Sequence, residues 1–251
     1  MDFFGDVAGW FADSANWSGP DGIPTRVGEH LVLSGVPLAI AIAVALPLGA
    51  WIGHNRRHAN LVINVANVGR AIPSLAILAI ATMLLQRFLV EIGLRAIASE
   101  ISTMIAMVAL AIPPILTNAY VGISEVDDQL VEAGRGMGMR AAQVLRLIEL
   151  PVGLPVILVG IRTAAVQVVA TATLGAVVAT GGLGRYIIDA IAQRRNEEIF
   201  AGAMLVAVLS IMTELAFTVI QRRATSPGLR VADAELREPP QRGKGGGEVF
   251  A

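Results

Sequence analysis

Five long apolar windows run along the chain, and each is interrupted by only a few polar residues. They cover residues 31–53, 61–85, 101–123, 155–180 and 201–220. A helix of about 20 mostly apolar residues crosses the ~30 Å hydrocarbon core of a bilayer. One small soluble domain cannot bury five such helices. The pattern therefore predicts an all-α, polytopic membrane bundle of about five transmembrane helices within residues 31–221.

The second window contains a helix breaker. Pro73 follows Ala71 and Ile72 near its middle, and proline lacks the N–H that an interior helical position must donate. The window is interpreted as one span over residues 61–85. A break at this point, with a count of six spans, stays open as the alternative.

The two ends of the chain differ from the windows. Residues 1–30 carry aromatic and apolar residues at helical spacing, with acidic residues where a signal peptide has basic ones. They predict an extracytoplasmic amphipathic segment, either an interfacial helix with Trp10 and Trp17 at headgroup depth or a short helix packed on the spans. Residues 222–251 are polar and rich in proline and glycine, which predicts a disordered cytoplasmic tail.

Composition excludes several classes of function. The 251 residues are 55% hydrophobic, contain no cysteine and carry a net charge of -1. Without cysteine there is no disulfide scaffold, thiolate metal site or cysteine nucleophile, and the near-neutral charge argues against a nucleic-acid partner. His30, His54 and His58 lie near span ends and are interpreted as interfacial residues. No metal site and no catalytic residue is predicted, and the absence of Asp and His from the windows argues against an intramembrane enzyme.

Basic residues are unevenly divided between the loops. The loops after the first and third windows and the segment after the fifth together hold eleven cations, whereas the other loops hold six that are partly offset by acids. Basic residues are retained on the cytoplasmic side of a membrane. The division predicts an N-terminus outside and a C-terminus inside the cell.

The loop 125–155 is too long for a simple connection and has a pattern of its own. Apolar and small residues recur near helical spacing, Gly136 and Gly138 interrupt them, and Pro151 is expected to end one helix before the fourth span begins. The pattern predicts two short helices along the membrane surface. A packed loop is the plainer alternative, but such a pair is better suited to docking on a partner.

The same loop resembles the EAA motif of ABC-importer permeases. In that motif, E-A-A is followed after three residues by G and, after nine more, by I-x-L-P. The matching positions are Glu132, Ala133, Gly138, Ile148, Leu150 and Pro151, and Gly134 stands where the third position is usually alanine. Several matches at fixed spacing make the signal specific. We call residues 125–155 the EAA loop.

The resemblance implies the type I ABC permease fold and several partners. In such permeases the EAA loop docks on a separate ATP-binding subunit, so Glu132 would face that subunit, Gly138 would permit a tight turn and Pro151 would set the entry of the next span. This sequence contains no G-x-x-x-x-G-K-[ST] motif. ATP and Mg²⁺ are therefore expected on the partner, with no cofactor in this chain. A second permease subunit, identical or related, is expected to complete the pore.

Other stretches resemble one branch of the family, the permeases for osmoprotectants such as glycine betaine, carnitine, choline and proline. They are residues 70–75, 111–118, 162–164, 167–173 and 181–187. With only 5% aromatic residues, the spans cannot assemble a Trp and Tyr cage for a quaternary ammonium group. Recognition is therefore expected from an extracytoplasmic solute-binding protein docked around residues 86–100 and 181–198. A permease for methionine or phosphonate, or a membrane scaffold, is the alternative.

Three ionisable residues fall well inside the windows. An intramembrane charge costs roughly 2.5–3.5 kcal/mol, so each should be paired or face water. Arg162 and Glu214 both lie about 10 Å inside the cytoplasmic ends of their windows, and they are predicted to form an ion pair. Its favoured role is to hold two helices together, with a direct role in transport as the alternative. Arg70, beside Pro73, either caps free carbonyls or faces the pore.

A polar stripe marks the fourth span. Thr163, Gln167 and Thr171 recur every four residues, and the small residues around them leave room for a passage. The stripe is interpreted as lining a pore, with hydrogen bonds to neighbouring helices as the alternative. The complete set of predicted pore or gate residues is Arg70, Pro73, Ser74, Thr163, Gln167 and Thr171.

Overall fold

The computed structural model describes residues 3–56 and 59–225, without the side chains of Ile63 and Arg70. These residues form helices and loops and no strand. The helices, numbered in chain order, are α1 (Phe3–Ala12), α2 (Ile23–Asn55), α3 (Ala59–Ala71), α4 (Ser74–Glu91), α5 (Ala98–Ser124), α6 (Asp128–Gly136), α7 (Ala141–Val144), α8 (Leu150–Ala172), α9 (Gly184–Gln193) and α10 (Asn196–Ala224). The predicted roles of the Arg70 side chain, of His58 and of the tail beyond Thr225 lie outside the described residues.

Five helical segments are long and apolar enough to cross a membrane, which confirms the predicted all-α bundle of about five spans. They are Ile23–Asn55, Ser74–Glu91, Arg95–Ser124, Ala141–Val178 and Asn196–Ala224. Most extend beyond the apolar windows, because polar residues near a membrane surface still continue a helix. The fourth runs from α7 through a π-helical turn at Leu145–Glu149 into α8 and then a 3₁₀ turn at Thr173–Val178.

The prediction of one continuous helix over residues 61–85 is wrong. α3 ends at Ala71 and α4 begins at Ser74, and the carbonyl of Pro73 accepts a hydrogen bond from Ala76 N at 2.9 Å in the first turn of the new helix. The break is the alternative that the sequence left open, but it does not add a sixth span. α3 has 13 residues, which at about 1.5 Å each fall well short of the ~30 Å hydrocarbon core.

The core of the bundle is a seam in which α5 packs against both α2 and α8, and we call it the α2–α5–α8 seam. Alanine fills much of it, and Ala41, Ala111 and Ala164 are fully buried. At the closest approach, a Cβ on Gly153 would stand 2.2 Å from the carbonyl oxygen of Gly122. Small residues let helix backbones approach each other, and the resulting van der Waals contact holds helices together in lipid.

α10 and α1 form an outer layer. α10 packs on α8 and α9, and α1 packs on α10. Phe3 and Phe4 contact Phe200 edge to face, with ring centroids 5.6 and 6.4 Å apart, and Trp10 contacts Tyr186 of α9 at 5.4 Å. These contacts favour the packed alternative for the N-terminal segment over a helix that only lies in the interface.

Candidate functional site

One end of the bundle is formed by the EAA loop, in which only α6 is a separate short helix. The prediction of a second surface helix is wrong, because α7 is the first turn of the helix that continues into the fourth span. α6 is capped by Asp127, whose Oδ1 accepts a hydrogen bond from Gln129 N at 2.8 Å. The chain then turns at Gly138, whose φ of 83° lies in the left-handed region that glycine adopts without strain. The short α7 follows and continues into the fourth span. Gly138 thus occupies the tight turn that the family resemblance implies.

Pro151 does not end a helix, contrary to the expectation from the sequence. The chain stays helical from α7 into α8, and the π turn at Leu145–Glu149 ends two residues before Pro151. Leu150 N donates to the carbonyl of Leu145, five residues back. Because Pro151 has no N–H to donate to Leu147 O, the wider turn accommodates the missing hydrogen bond without stopping the helix. Leu150 itself packs at the edge of the α2–α5–α8 seam.

The inner side of the EAA loop is a small apolar core of its own. Val126, Val131 and Val144 are buried, and Ile148 packs against them. A Cβ on Gly134 would stand 2.5 Å from Ile148 Cδ1. Glycine at this position, where the family pattern usually has alanine, lets α6 lie closer to the π turn. The fold thus brings two separated positions of the motif into contact.

The outer side of the EAA loop combines an acid with apolar side chains. Glu132 and Ala133 are exposed on α6. On the same loop, Leu130, Met137 and Leu147 are exposed by 47%, 76% and 66%. Exposed apolar side chains on a loop that also exposes a carboxylate are typical of a protein-docking surface. Sequence reasoning missed these three apolar residues, because an apolar residue at helical spacing predicts burial.

A cavity of about 610 Å³ opens beside the break between α3 and α4. α3, α5 and α8 supply its walls, and the break itself forms one side. Its lining residues are Ala66, Gly69, Ile72, Pro73, Ser74, Leu110, Pro113, Pro114, Thr117, Asn118, Thr163 and Gln167. None of these lining residues is charged.

Hydroxyl, amide and carbonyl groups make this cavity polar. Thr117 Oγ1 is buried and has no hydrogen-bond partner among the described residues. Pro113 and Pro114 cannot donate to the carbonyls one turn before them, which leaves further acceptors on α5. Buried polar groups without protein partners are usually satisfied by water or a ligand. Through its described lining residues, the cavity therefore offers hydrogen bonds to water or to a polar solute and no full charge.

Four of the six predicted pore residues line this cavity, and the side chain of Arg70 lies outside the described residues. Those that line it are Pro73, Ser74, Thr163 and Gln167. Thr171 is half-buried and does not line it, because two steps of four residues rotate a helix by about 80°. The sequence analysis did not predict Thr117 and Asn118 as lining residues. The signal available for them was the pair of prolines that precedes them in α5.

Arg162 and Glu214 lie together, with Arg162 Nη2 2.6 Å from Glu214 Oε1. Arg162 Nη1 also lies 3.3 Å from Thr218 Oγ1 and 3.4 Å from Gln221 Oε1. These contacts join α8 to α10. Neither member of the pair lines the cavity, so the geometry favours the role of holding two helices together.

At the other end of the bundle, α2 holds the segment between the fourth span and α9. His30 is fully buried, with Nε2 2.9 Å from Val169 O, and its Nδ1 accepts from Leu183 N at 3.3 Å. Glu29 Oε2 accepts from Gly182 N at 2.7 Å. The interpretation of His30 as an interfacial residue is therefore wrong, because its ring bridges two distant stretches of backbone inside the bundle.

Tyr186 adds a further tie at this end. Its hydroxyl donates to the carbonyl of Asp21 at 2.5 Å. Burial raises the pKa of Tyr186 to about 12. The phenol therefore remains a neutral donor at every pH at which a cell operates.

Comparison with known proteins agrees with the motif. The model of the family described as binding-protein-dependent transport system inner membrane component matches residues 45–230. The chain is 34% identical to the glycine betaine/carnitine/choline transport system permease protein OpuCB of Bacillus subtilis, over 82% of this chain and 89% of the relative. It is 36% identical to the carnitine transport permease protein OpuCB of Listeria monocytogenes, over 81% and 88%. It is 31% identical to the osmoprotectant import permease protein OsmW of Salmonella typhimurium, over 80% and 91%.

The fold has a counterpart among solved structures. A chain of the inward-facing MetNI methionine ABC transporter, in its CY5 native crystal form, matches with a TM-score of 0.66 at 22% identity, over 80% of this chain and 95% of that chain. At this identity the match shows a shared fold alone, and it confirms the fold that the EAA loop implies. With the family model covering most of the described bundle, the chain belongs to the binding-protein-dependent transport system inner membrane components, the permease subunits of ABC transporters.

Proposed function

We propose that this chain is the translocation subunit of an ATP-driven importer for osmoprotectants of the glycine betaine, carnitine and choline class. The observation that carries the proposal is the outer face of the EAA loop, where Glu132 and Ala133 are exposed together with large apolar side chains. The names of the relatives support the solute class.

ATP-binding subunits are the partners that this face fits. Glu132 would accept hydrogen bonds from the partner or form an ion pair with one of its cations. Met137 and Leu147 would enter an apolar groove on the partner. ATP and Mg²⁺ would be bound by that partner and not by this chain. Closure of the ATP-binding subunits would move the EAA loop and switch the pore between inward-facing and outward-facing states.

The remaining partners follow from the same assignment. The EAA loop and the C-terminus would lie in the cytoplasm and the N-terminus outside the cell membrane. A solute-binding protein would dock at the outer end, around residues 86–100 and 181–198. A second permease subunit, identical or related, would close the cavity beside α3 and α4 to form the pore.

The chemistry of the cavity supports a polar solute without strong binding. Its described lining residues include threonine, serine, asparagine and glutamine and no charged residue. Glycine betaine and carnitine are zwitterions, whose carboxylate can accept hydrogen bonds from hydroxyl and amide groups. A passage must bind its solute weakly enough to release it. Selection would therefore rest on the solute-binding protein, as the scarcity of aromatic residues requires.

Reconstitution tests the proposal. The chain is assembled with the ATP-binding and solute-binding proteins of its transport system in proteoliposomes, and uptake of radiolabelled glycine betaine and methionine is compared. We expect betaine uptake that requires ATP on the side of the EAA loop, and no ATP hydrolysis by the chain alone. Uptake of methionine in place of betaine would contradict the solute class. ATP hydrolysis by the isolated chain would contradict the assignment as a translocation subunit. Uptake that does not depend on ATP would contradict it as well.

A further inference from the structure

The C-terminal end of α2 reaches the EAA loop at two places. His54 Nδ1 lies 2.5 Å from Glu149 Oε2 in the π turn. Arg56 forms an ion pair with Asp128 at the start of α6, and its Nη2 donates to Val126 O at 3.2 Å. We call these contacts of His54 and Arg56 with the EAA loop the α2 clasp.

The contact between His54 and Glu149 is well shielded from solvent. The side chain of His54 is 13% exposed and that of Glu149 only 4%. Glu149 occupies the unspecified position of the I-x-L-P pattern, so the motif itself gives no reason for an acid there. Among the described residues His54 is the one hydrogen-bond partner of this carboxylate. A buried acid is costly unless a donor holds it, so the pair fixes the π turn to α2.

α2 is itself held firmly just before the clasp. A Cβ on Gly49 would stand 2.7 Å from Leu116 O, and one on Gly53 would stand 2.8 Å from Tyr120 O, so the last turns of α2 lie directly on α5. At its other end, α2 is tied to the segment before α9 through His30. A helix of 33 residues is about 50 Å long. α2 therefore connects the EAA loop to both the α2–α5–α8 seam and the far end of the bundle.

We propose that His54 and Glu149 are positioning residues for transport, because the α2 clasp carries displacement of the EAA loop into α2 and the seam beside the cavity. The inference rests on the proposed function, since partner subunits are what would displace the loop. The two residues lie on the inner side of the loop, away from the exposed face of Glu132 and Ala133. Opening the contact between His54 and Glu149 therefore leaves docking and ATP hydrolysis in place and lowers the amount of solute moved per ATP.

The test uses the complete complex in proteoliposomes, with ATP hydrolysis and radiolabelled glycine betaine uptake measured in the same vesicles. For His54→Ala we expect ATP hydrolysis within about twofold of wild type and uptake per ATP lower by about fivefold or more. His54→Asn places an amide nitrogen near the position of Nδ1 and restores most of the uptake per ATP. Ser34→Ala is the matched control, because the hydrogen bonds that Ser34 Oγ makes among the described residues stay within α2, to His30 O and Leu31 O, and it leaves the ratio unchanged.

A second variant covers the case in which His54→Ala does not fold. Arg56 is 43% exposed, so Arg56→Gln opens the other half of the clasp with little risk to folding, and we expect uptake per ATP to fall about threefold. Wild-type uptake per ATP in both variants would overturn the proposal. Equal loss of ATP hydrolysis and uptake in His54→Ala and His54→Asn would do the same, because it would show a purely structural role. Failure of the proposed function is distinct, since it would appear as a wild-type complex without ATP-driven betaine uptake.

Discussion

α5 belongs to the α2–α5–α8 seam and also packs against the broken α3–α4 pair. The seam and the broken pair are built by opposite means. In the seam, Gly153 lies so close to Gly122 that a Cβ would reach the carbonyl oxygen of Gly122. In the apolar 18-residue stretch of the span that contains α5, 44% of the residues are buried. In α4 the buried share is 11%, and Pro73 interrupts the backbone beside a cavity. Packing is therefore concentrated where the EAA loop joins the bundle and relaxed where a solute would pass. We therefore expect the seam to be the rigid part of the chain and the break to be the adaptable part.

The largest effect is expected in the seam. Gly153→Ala puts a Cβ 2.2 Å from Gly122 O, and because neither backbone can yield, we expect a loss of about 3 kcal/mol in the free energy of unfolding. Gly136→Ala is the control, since a Cβ there meets nothing within 4 Å and alanine favours a helix by about 1 kcal/mol. Denaturant unfolding of the purified protein in micelles measures both. Equal effects of the two substitutions would show that the seam is not tightly packed.

The next largest loss of stability is expected at the contact between α8 of the seam and α10 of the outer layer. Arg162→Ala leaves Glu214 without its cation, and we expect a loss of about 2.5 kcal/mol, the cost of an unpaired charge in a membrane. The charge-swapped double variant, Arg162→Glu with Glu214→Arg, should recover most of that loss. The same unfolding measurement checks it. If the double variant is no more stable than Arg162→Glu alone or Glu214→Arg alone, the ion pair does not link α8 to α10.

At the break, a substitution should change transport and leave stability alone. Thr117→Val removes a buried hydroxyl that has no partner among the described residues, so the free energy of unfolding should change by less than about 0.5 kcal/mol. The KM of betaine uptake should rise about threefold, as for the loss of one hydrogen bond. Thr103→Val is the control, because Thr103 Oγ1 is also buried and has no hydrogen-bond partner in the described part of the chain but does not line the cavity. Equal KM values for the two variants would show that the cavity does not lie on the path of the solute.

The smallest effect is expected at the far end of α2, where Tyr186 is tied to Asp21. Its pKa is raised to about 12, whereas an unfolded tyrosine titrates near 10. The folded state thus holds the proton more tightly, and the stability gained is present below about pH 10 and lost as the pH rises toward 12. The tyrosinate absorbance of wild type minus that of Tyr186→Phe should show a midpoint near 12. A midpoint near 10 would show that this tie is open.

The sequence predicts the architecture of the bundle better than its contacts. Hydropathy and the spacing of the EAA motif are local properties, so the spans and the EAA loop with its turn at Gly138 are predictable. The break at Pro73 is visible as a helix breaker, but whether the helix stops or only bends depends on packing. Pro151 shows the difference, because a π turn accommodates it and the helix continues.

The missed residues share one cause. His30 and His54 lie near span ends in the sequence, yet one is fully buried and the other pairs with Glu149. Such contacts join positions far apart along the chain, and no local pattern marks them. Thr117 was hidden for a similar reason, since its side chain faces a cavity that exists only when α3, α5 and α8 come together.

Hydrogen exchange of the backbone amides, followed by mass spectrometry on the protein in lipid nanodiscs, decides whether the seam is rigid and the break adaptable. Local opening is easiest where buried contacts are few. We predict that amides in residues 66–78 exchange about tenfold faster or more than those in residues 41–53 and 153–165. Equal or slower exchange at the break would contradict the division of this permease into a rigid seam and an adaptable break.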